Sequence, residues 1–292
     1  MKIIYNPKTI PSGHAIALGN FDGVHLGHKV ILRQMRDIAA AKSLKPAVIT
    51  FEPHPIALFR PQVLPVRIND LHVKMELLAA NGVEVCYIIK FNRQFSELKA
   101  LEFIDKYLRG NHIITGFNFA FGHNREGGPE LLHEVLGGNY TQVEPVEEGG
   151  AVYSSSMVRM ALKSGEVRMA NKLLGYDYYI RGKVIRGAGK GAGIGFATAN
   201  IKLKPSLLRA KYGVYAVNTQ FGRGVANFGV RPTVDGKTEL LEVHIFDFAK
   251  DIYGQSLKVE FLDFIREERT YKSLDELKLQ IVKDAAKAKE IE

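Results

Sequence analysis

The sequence contains a single cysteine, and its apolar residues form no long run. With Cys86 alone among 292 residues, the chain can form neither an intrachain disulfide nor a cysteine-rich zinc site. No segment approaches the roughly 18 consecutive apolar residues of a membrane-spanning helix, which argues against a transmembrane protein. Residues 1–7 lack the apolar core of a signal peptide. We therefore expect a protein of the reducing cytoplasm.

Acidic residues are absent from one long stretch of the chain. The whole sequence has a net charge of +9, and between Tyr178 and Val234 ten residues are basic and none is acidic. Such a stretch suits an anionic partner, either nucleotide phosphates or a nucleic acid. It equally suits a surface whose charges only keep the protein soluble. Charge alone leaves both interpretations open.

No internal repeat and no low-complexity linker interrupts the chain, and its two halves differ in pattern. A prior of roughly 150 residues per domain predicts two domains. In the first half, short apolar runs alternate with helical patterns, which is typical of a parallel sheet covered by helices on both faces. The predicted strands are 14–18, 47–51, 83–89 and 113–115, and the predicted helices are 29–41, 71–80 and 98–108.

After Gly175 the sequence becomes rich in glycine and β-branched residues. Its short alternating segments, 179–186, 213–217 and 241–248, predict a small antiparallel barrel or sandwich. A helix follows, and Ser273-Leu274-Asp275-Glu276 at its start has the pattern of a capping box.

The densest chemical pattern is Gly19-Asn20-Phe21-Asp22-Gly23-Val24-His25-Leu26-Gly27-His28, between a predicted strand and a predicted helix. An open α/β sheet binds ligands at the carboxyl ends of its strands, where helix N–H groups are available to a phosphate. The glycines allow a ligand to approach the backbone. His25 and His28 share a face of the first helical turn, where two imidazoles can stabilise a reacting phosphate. A pair of metal ligands and a purely structural pair are the alternatives.

A second glycine-rich segment lies in the other half of the chain. Residues 186–195 have a glycine at every second position, without the Gly-Lys-Ser/Thr of a Walker A loop. We interpret the segment as a flap whose backbone N–H groups and lysine cover phosphates. Its candidate nucleotide-binding residues are Gly187, Gly189, Lys190 and Gly193.

Two oxygen-bearing side chains follow this segment. Thr198 and Asn200 are two residues apart, so both face the same way in a strand. A hydroxyl and an amide carbonyl are hard ligands that suit the Mg²⁺ bound to ATP. An ordinary glycine-rich turn followed by a polar strand face is the alternative.

Four N-terminal segments carry a resemblance to a known family. Gly19 to His28 contains the His-x-Gly-His signature of nucleotidylyltransferases. The other segments are Thr-Phe-Glu-Pro-His-Pro at 50–55, Gly-Phe-Asn-Phe-Ala-Phe-Gly at 116–122 and Ser-Ser-Ser-Met-Val-Arg at 154–159. Together they resemble the bacterial bifunctional riboflavin kinase/FMN adenylyltransferases, also called FAD synthetases. Ser156 replaces the threonine of the family motif and keeps its hydroxyl.

This resemblance implies a Rossmann-like nucleotidylyltransferase domain in which an FMN phosphate oxygen attacks the α-phosphate of ATP and pyrophosphate leaves. The attacking phosphate is already an anion, so positioning and electrostatics suffice without a general base. His25 and His28 would contact the reacting phosphates. Asn118 would hydrogen-bond the nucleotide, and Arg159 would bind the β,γ-phosphates. The further nucleotide-binding residues that the resemblance implies are Gly19, Phe21, Asp22, Gly23 and Ser156.

Apolar rings near the strand ends are candidates for a flavin cradle. They are Phe51, Pro53, Pro55, Phe119 and Phe121. Of these, we expect Phe51, Pro55 and Phe121 to contact the flavin. The hydrophobic core is the alternative for each ring.

The second half resembles the riboflavin kinase module of the same family. The matching segments are 195–200 (Gly-Phe-Ala-Thr-Ala-Asn), 212–215, 227–233, 242–244, 247–248, 251–254 and 261–266. The resemblance implies a riboflavin kinase-like barrel and places Arg266 near the flavin. Two residues depart from the family pattern: Ala197 stands where the family has proline, and Ala192 stands where an arginine is common.

One carboxylate in this half is the candidate general base. The riboflavin 5′-hydroxyl is a poor nucleophile and needs a base within hydrogen-bond reach to take its proton. Asp247 and His244 are chemically able to serve. The Glu-x-His pattern at 242–244 favours Glu242.

Both resemblances together predict two domains, 1–176 and 177–292, in a two-step enzyme. Riboflavin and ATP would give FMN in the C-terminal domain, and FMN and a second ATP would give FAD in the N-terminal domain, with Mg²⁺ as cofactor. An FMN adenylyltransferase with a degenerate kinase barrel is the main alternative, and a nucleic-acid or regulatory binding protein is an alternative of another class. We expect no nucleic-acid partner and no membrane partner.

Overall fold

The computed structural model describes residues 1–148, 151–186, 198–233 and 236–291. The chain divides into two compact units. The first contains Met1–Arg67 and Lys74–Ser155, and the second contains Ile68–Val73 and Ser156–Glu292. The sequence motifs predict a boundary between two functional domains after residue 176. That boundary stays a prediction.

The first unit is built on a six-stranded parallel sheet. Its strands are β1 (Lys2–Tyr5), β2 (His14–Leu18), β3 (Lys45–Glu52), β4 (Val85–Lys90), β5 (His112–Gly116) and β6 (Tyr140–Val143). They lie in the order β1-β4-β3-β2-β5-β6, and every pairing is parallel. The predicted parallel sheet is therefore confirmed. The edge strands β1 and β6 escaped prediction because each is only four residues long and largely unburied, so neither produces an apolar run.

Helices connect these strands. They are α1 (Leu26–Ala41), α2 (Pro55–Phe59), α3 (Leu71–Ala80), α4 (Arg93–Ser96), α5 (Ala100–Phe103) and α6 (Pro129–Leu136). The predicted helix 98–108 is shorter: α5 gives way to a π-helical turn at Ile104–Leu108. A two-stranded antiparallel pair, β7 (Glu147–Glu148) and β8 (Ala151–Val152), follows β6.

The strands of this unit appear in the sequence as continuous apolar runs because they are buried in its core. All five residues of β2 are buried, as are the central residues of β3. Helix α1 buries Leu32, Met35 and Ala39. A fully buried large apolar side chain contributes roughly 1.5–3 kcal/mol, so this one helical face contributes several kcal/mol to stability.

Besides Ile68–Val73, the second unit contains α7 (Ser155–Ser164) from its second residue onward, α8 (Val167–Leu174) and a closed barrel. The barrel strands are β9 (Tyr179–Ile185), β10 (Ala199–Lys202), β11 (Gly213–Thr219), β12 (Gly222–Thr233), β13 (Gly236–Ile245) and β14 (Ser256–Arg266). Their order is β10-β13-β12-β11-β14-β9, and β9 also pairs with β10. That last pairing closes the sheet, so of the two predicted architectures the barrel is the one present.

A helix, α9 (Leu274–Glu290), follows the barrel. Ser273 Oγ accepts a hydrogen bond from the Glu276 N–H at 3.2 Å, and Glu276 Oε2 accepts one from the Lys272 N–H at 3.0 Å. Ser273 therefore caps α9 as the predicted motif implies, whereas Glu276 binds the N–H of Lys272 in place of the Ser273 N–H that a capping box requires. Across the described ranges, no helix is both long enough and apolar enough to cross a membrane.

Candidate functional site

The two histidines lie where β2 leads into α1. His25 is the N-cap residue of α1, and His28 lies in its first turn. Their rings stack with 3.7 Å between centroids and 25° between planes. The Nδ1 atoms of both rings are buried. The structure thus joins two imidazoles at a helix N-terminus, where backbone N–H groups suit an anion.

A metal site at this pair has little support in the structure. Over residues 1–148, 151–186, 198–233 and 236–291, no group of three His, Cys, Asp or Glu side chains is placed to hold a metal ion. The described residues therefore supply no cluster of such ligands around the pair.

The loop that carries the histidines has an unusual backbone. Phe21, Gly23 and Val24 have φ angles of 49°, 84° and 39°. This left-handed region is strained for a β-branched residue such as Val24, and surrounding structure must enforce it. Phe21 and Val24 are completely buried, and Ser155 Oγ donates a hydrogen bond to the Asp22 carbonyl at 2.8 Å. Packing and this hydrogen bond hold the loop in place.

The Phe21 ring lies between Gly19, at the start of this loop, and His28, at its end. Gly19 follows β2 directly, and its N–H donates to the Ile49 carbonyl at 3.1 Å. A Cβ at Gly19 would come within 3.3 Å of the Phe21 ring. The Phe21 ring in turn lies 5.2 Å from the His28 ring, centroid to centroid. The Phe21 ring is therefore a direct packing neighbour of the His28 ring.

The strand order places a second predicted residue at the same edge of the sheet. The order reverses between β2 and β5, because β3 and β4 lie on one side of β2 and β5 and β6 on the other. Open α/β sheets bind ligands at such a switch point, beside the carboxyl ends of the strands. Asn118 follows the carboxyl end of β5 and is exposed. The loops that carry His25 and Asn118 thus follow neighbouring strands.

The rings proposed for the flavin belong in part to the core. Phe51 and Phe121 are buried and both contact Phe103, at 6.4 Å and 5.5 Å between centroids. Phe119 stacks on Phe121 at 5.8 Å and is only half-buried, as is Pro55 at the start of α2. The core interpretation therefore accounts for Phe51 and Phe121. Phe119 and Pro55 are the more accessible members of the set.

The serine and arginine of the fourth N-terminal motif lie on α7. Ser156 is exposed in the first turn and Arg159 is half-buried one turn later. Both line a surface cavity of about 370 Å³ together with Met160, Lys163 and Ser164. Arg159 and Lys163 are four residues apart and present two cations on one helix face. This arrangement suits phosphate oxygens.

In the barrel, three polar residues lie side by side on adjacent strands. Asn200 of β10 pairs with Glu242 of β13, and Glu242 pairs with Asn227 of β12. Residues directly opposite in a sheet share one face. Asn200 is 5% exposed and Glu242 9%. The strand register thus brings the predicted base next to a predicted Mg²⁺ ligand, although long chain segments separate the two.

The Asn200 side chain is placed to receive a ligand. Its Nδ2 atom donates to the Thr198 carbonyl at 3.4 Å. Its Oδ1 atom is buried and has no hydrogen-bond partner within the part of the chain that the structure describes. A buried amide oxygen without a partner is costly, unless a donor or a cation binds there. Thr198 immediately precedes β10 and is half-buried.

The structure distinguishes between the candidate bases. His244 is two residues from Glu242 on β13 and contacts the Phe246 ring at 5.9 Å. Asp247 follows the strand, is exposed and has a φ of 54°. Glu242 is the candidate that lies opposite Asn200. The register therefore favours Glu242.

Arg266 makes a contact that the sequence did not suggest. Its Nε atom donates to Asp284 Oδ1 at 2.9 Å and its guanidinium NH2 group donates to Oδ2 at 2.7 Å. Asp284 lies on α9 and is almost fully buried. The guanidinium thus connects the end of β14 to α9. A flavin contact by Arg266 stays a prediction.

Two family models match the chain in succession. The model described as FAD synthetase matches residues 8–157, and the model described as riboflavin kinase matches residues 174–292. Relatives described as bifunctional riboflavin kinase/FMN adenylyltransferase include that of Escherichia coli (strain K12), 39% identical over 98% of this chain and 96% of its own. The relative from Bacillus subtilis (strain 168) is 40% identical over 94% of this chain and 90% of its own. The chain belongs to this family.

A solved structure shares the fold over the full length of both chains. It is a Streptococcus pneumoniae crystal structure described as a macrolide-efflux protein, with a TM-score of 0.90 and 32% identity, and the match covers 100% of each chain. The efflux description belongs to the streptococcal protein. The agreement extends through both the sheet and the barrel.

Residues 187–197, which include most of the glycine-rich segment of the second half, lie outside the residues that the structure describes. The positions concerned are Gly187, Gly189, Lys190, Ala192, Gly193 and Ala197.

A buried lysine belongs to none of the sequence motifs. It is Lys74, which lies on α3. Little in the sequence signals this burial, because α3 also carries His72 and Glu76, so that one more polar residue does not stand out.

Proposed function

We propose that this chain converts riboflavin to FAD in two consecutive ATP-dependent transfers. The C-terminal module, 177–292, phosphorylates riboflavin to FMN, and the N-terminal module, 1–176, adenylylates FMN and releases pyrophosphate. The succession of the FAD synthetase and riboflavin kinase models along this one chain is the observation that carries the proposal. The reducing cytoplasm is the compartment that we propose, because the thiol of Cys86 is free and buried.

In the adenylyl transfer, an oxygen of the FMN phosphate attacks the α-phosphorus of ATP, and the bond to the β-phosphate oxygen breaks. The stacked pair His25 and His28 supports a role at the reacting phosphates, because it lies at the N-terminus of α1. Asn118 binds the nucleotide in this proposal. Ser156 and Arg159 bind its β- and γ-phosphates from α7.

In the kinase step, Glu242 takes the proton from the riboflavin 5′-hydroxyl as its oxygen attacks the γ-phosphorus of ATP and ADP leaves. The support is positional: Glu242 is 9% exposed and faces the Asn200 side of β10. Partial burial keeps water from competing for the carboxylate.

The residues at the barrel strand fit a magnesium ion. The buried Oδ1 of Asn200 has no partner among the described residues, and the Thr198 hydroxyl is two residues away. Both are hard oxygen ligands. When bound with ATP, Mg²⁺ would neutralise part of the phosphate charge. Thr198 and Asn200 are the residues that we propose to hold it.

The main alternative is an FMN adenylyltransferase whose barrel no longer phosphorylates riboflavin. The observation that favours it is the pair of departures from the family pattern, Ala192 within the glycine-rich segment and Ala197 two residues after it. Thr198, Asn200 and Glu242 argue against it, because all three match the riboflavin kinase motifs.

The experiment is a flavin chromatogram of two reactions. Purified protein is incubated with ATP and Mg²⁺, in one tube with riboflavin and in the other with FMN. FAD from both tubes supports the two-step enzyme. FAD from the FMN tube alone establishes the single-activity alternative. No FAD from either tube would refute both.

A further inference from the structure

Lys74 is a buried cation at the carboxyl end of the parallel sheet. It lies on α3 and is 5% exposed. Its Nζ atom donates to the Asn20 carbonyl at 3.2 Å and to Thr50 Oγ1 at 3.1 Å. Thr50, which is completely buried, donates its own hydroxyl to the same Asn20 carbonyl at 3.1 Å. One main-chain oxygen therefore receives two side-chain donors.

A purely structural contact would not justify the free-energy cost of burying this lysine. Burial of an ammonium group carries a large desolvation penalty, and an apolar side chain of the same length would fill the space without it. Burial lowers the pKa of Lys74, and the neighbouring Arg67 lowers this pKa further. Glu52, Asp22 and Cys86 act in the opposite direction and raise it. In return, Lys74 Nζ makes two hydrogen bonds, one to the Asn20 carbonyl and one to Thr50, whose hydroxyl donates to that same carbonyl.

That loop is the one that carries the two histidines. Asn20 precedes Phe21, whose φ of 49° is strained and whose ring lies 5.2 Å from the His28 ring. A shift of the Asn20 carbonyl would move Phe21, and the His28 ring would lose its support. A continuous series of contacts thus runs from Lys74 through Asn20 and Phe21 to His28.

We propose that Lys74, together with Thr50, is a positioning residue for FMN adenylyl transfer: it holds the Asn20 carbonyl so that His25 and His28 keep their stacked geometry. The inference rests on the proposed role of these histidines. Lys74 acts through the loop and needs no contact with either substrate.

The test uses the full chain and measures FMN-to-FAD and riboflavin-to-FMN activities in the same preparation. Lys74→Met should lower kcat for FAD formation about 10- to 100-fold, since a misplacement of about 1 Å costs on that order. The KM values for FMN and ATP should stay near those of the parent, and riboflavin phosphorylation should be unchanged. Parental kcat for FAD formation in Lys74→Met would overturn the proposal.

Thr50 supplies a matched pair in case Lys74→Met fails to fold. Thr50→Val keeps the shape and removes the hydroxyl, whereas Thr50→Ser keeps the hydroxyl and leaves a small cavity. If Thr50 is a positioning residue, Thr50→Val lowers kcat for FAD formation and Thr50→Ser does not. If its role is merely structural, the cavity in Thr50→Ser lowers this kcat more than the loss of the hydroxyl in Thr50→Val does. That order of effects would refute the inference.

Two further variants distinguish a failure of the positioning role from a failure of the proposed histidine site. Thr141→Val removes a polar contact at the amino end of the same sheet, where Thr141 Oγ1 lies 2.9 Å from His112 Nε2, and it should leave kcat unchanged. His28→Ala tests the proposed site itself. If His28→Ala abolishes FAD formation while Lys74→Met does not, only the positioning role fails. If His28→Ala retains FAD formation, the proposed site is wrong.

Discussion

At the scale of single residues, the proposed chemistry depends on two small groups. The stacked imidazoles of His25 and His28 lie at a helix N-terminus, and the Glu242 carboxylate lies opposite a buried amide oxygen in the barrel. The first group needs no proton transfer, because the FMN phosphate attacks as an anion. The second group does, because a hydroxyl attacks. This difference makes the two groups separable by substitution.

His28→Ala should lower FAD formation from FMN by about 100-fold or more and spare riboflavin phosphorylation, because it removes a donor to the reacting phosphates. Glu242→Ala should lower riboflavin phosphorylation by about 100-fold or more and leave added FMN convertible to FAD. Separate assays with riboflavin and with FMN measure both effects. Loss of both activities in either folded variant would contradict the assignment to two sites.

At the scale of elements, one buried ion pair joins α9 to the barrel. The Arg266 guanidinium makes two short contacts with the Asp284 carboxylate, and both side chains are largely buried. Val214 and Ala216 of β11 share one cluster of buried apolar residues with Ala288 of α9 and Ile291 just after it. Removing one partner of such a pair leaves an uncompensated charge in a poorly hydrated place.

Arg266→Met should therefore destabilise the protein by about 3–5 kcal/mol, because Asp284 is left buried and unpaired. The double variant Arg266→Met/Asp284→Leu should regain most of that loss, since no charge remains buried. Urea unfolding of the parent and the variants gives the free energies. Equal stabilities of the single and the double variant would show that the pair contributes only packing.

A second contact ties three elements together at the amino end of the parallel sheet. His112 of β5 accepts from Lys42 Nζ at 3.0 Å through Nδ1, and its Nε2 atom lies 2.9 Å from Thr141 Oγ1 on β6. Lys42 is the C-cap residue of α1. Burial of the ring lowers the pKa of His112 from its ordinary value of 6.5, and the Lys42 charge lowers this pKa further.

The sign of the resulting pH dependence follows from that direction. The folded state favours neutral His112, so the contact stabilises the protein above the unfolded-state pKa of 6.5, and this stabilisation is lost as the pH falls below that value. His112→Gln cannot titrate and should flatten the fall in urea midpoint between about pH 7 and about pH 5. An unchanged slope in the variant would contradict the assignment to His112.

At the scale of the whole molecule, the chain divides into two compact units, and the FAD synthetase and riboflavin kinase models match it in succession. The described residues contain no cluster of three His, Cys, Asp or Glu side chains placed to hold a metal ion. In the proposed kinase site, the oxygens of Thr198 and Asn200 supply part of a ligand set that nucleotide phosphates would complete. Metal should therefore matter to catalysis more than to folding.

Removal of divalent cations with EDTA should abolish both activities, because uncompensated phosphate charge opposes each transfer. The midpoint of thermal unfolding without nucleotide should not change. Asn200→Leu should lower riboflavin phosphorylation at all Mg²⁺ concentrations and leave FMN adenylylation intact. A drop in the unfolding midpoint with EDTA alone would point to a structural metal instead.

Much of the fold was predictable because its signals are local. The apolar runs of β2 to β5 and the helical spacing of α1 and α3 depend on neighbouring residues in the chain. The histidine motif is contiguous as well, so its place between a strand and a helix could be read directly. The edge strands β1 and β6 were missed for the converse reason, since neither buries a full apolar run.

The remaining features depend on contacts between distant parts of the chain. Asn200 meets Glu242 only because β10 pairs with β13 in one particular register, and the barrel closes only because β9 reaches both β10 and β14. The engagement of Arg266 by Asp284 and the link from Lys74 to the Asn20 carbonyl are also long-range. Local periodicity therefore specifies each element and the motif it carries, whereas register and burial, which arise when elements pack, select the partner of each polar side chain.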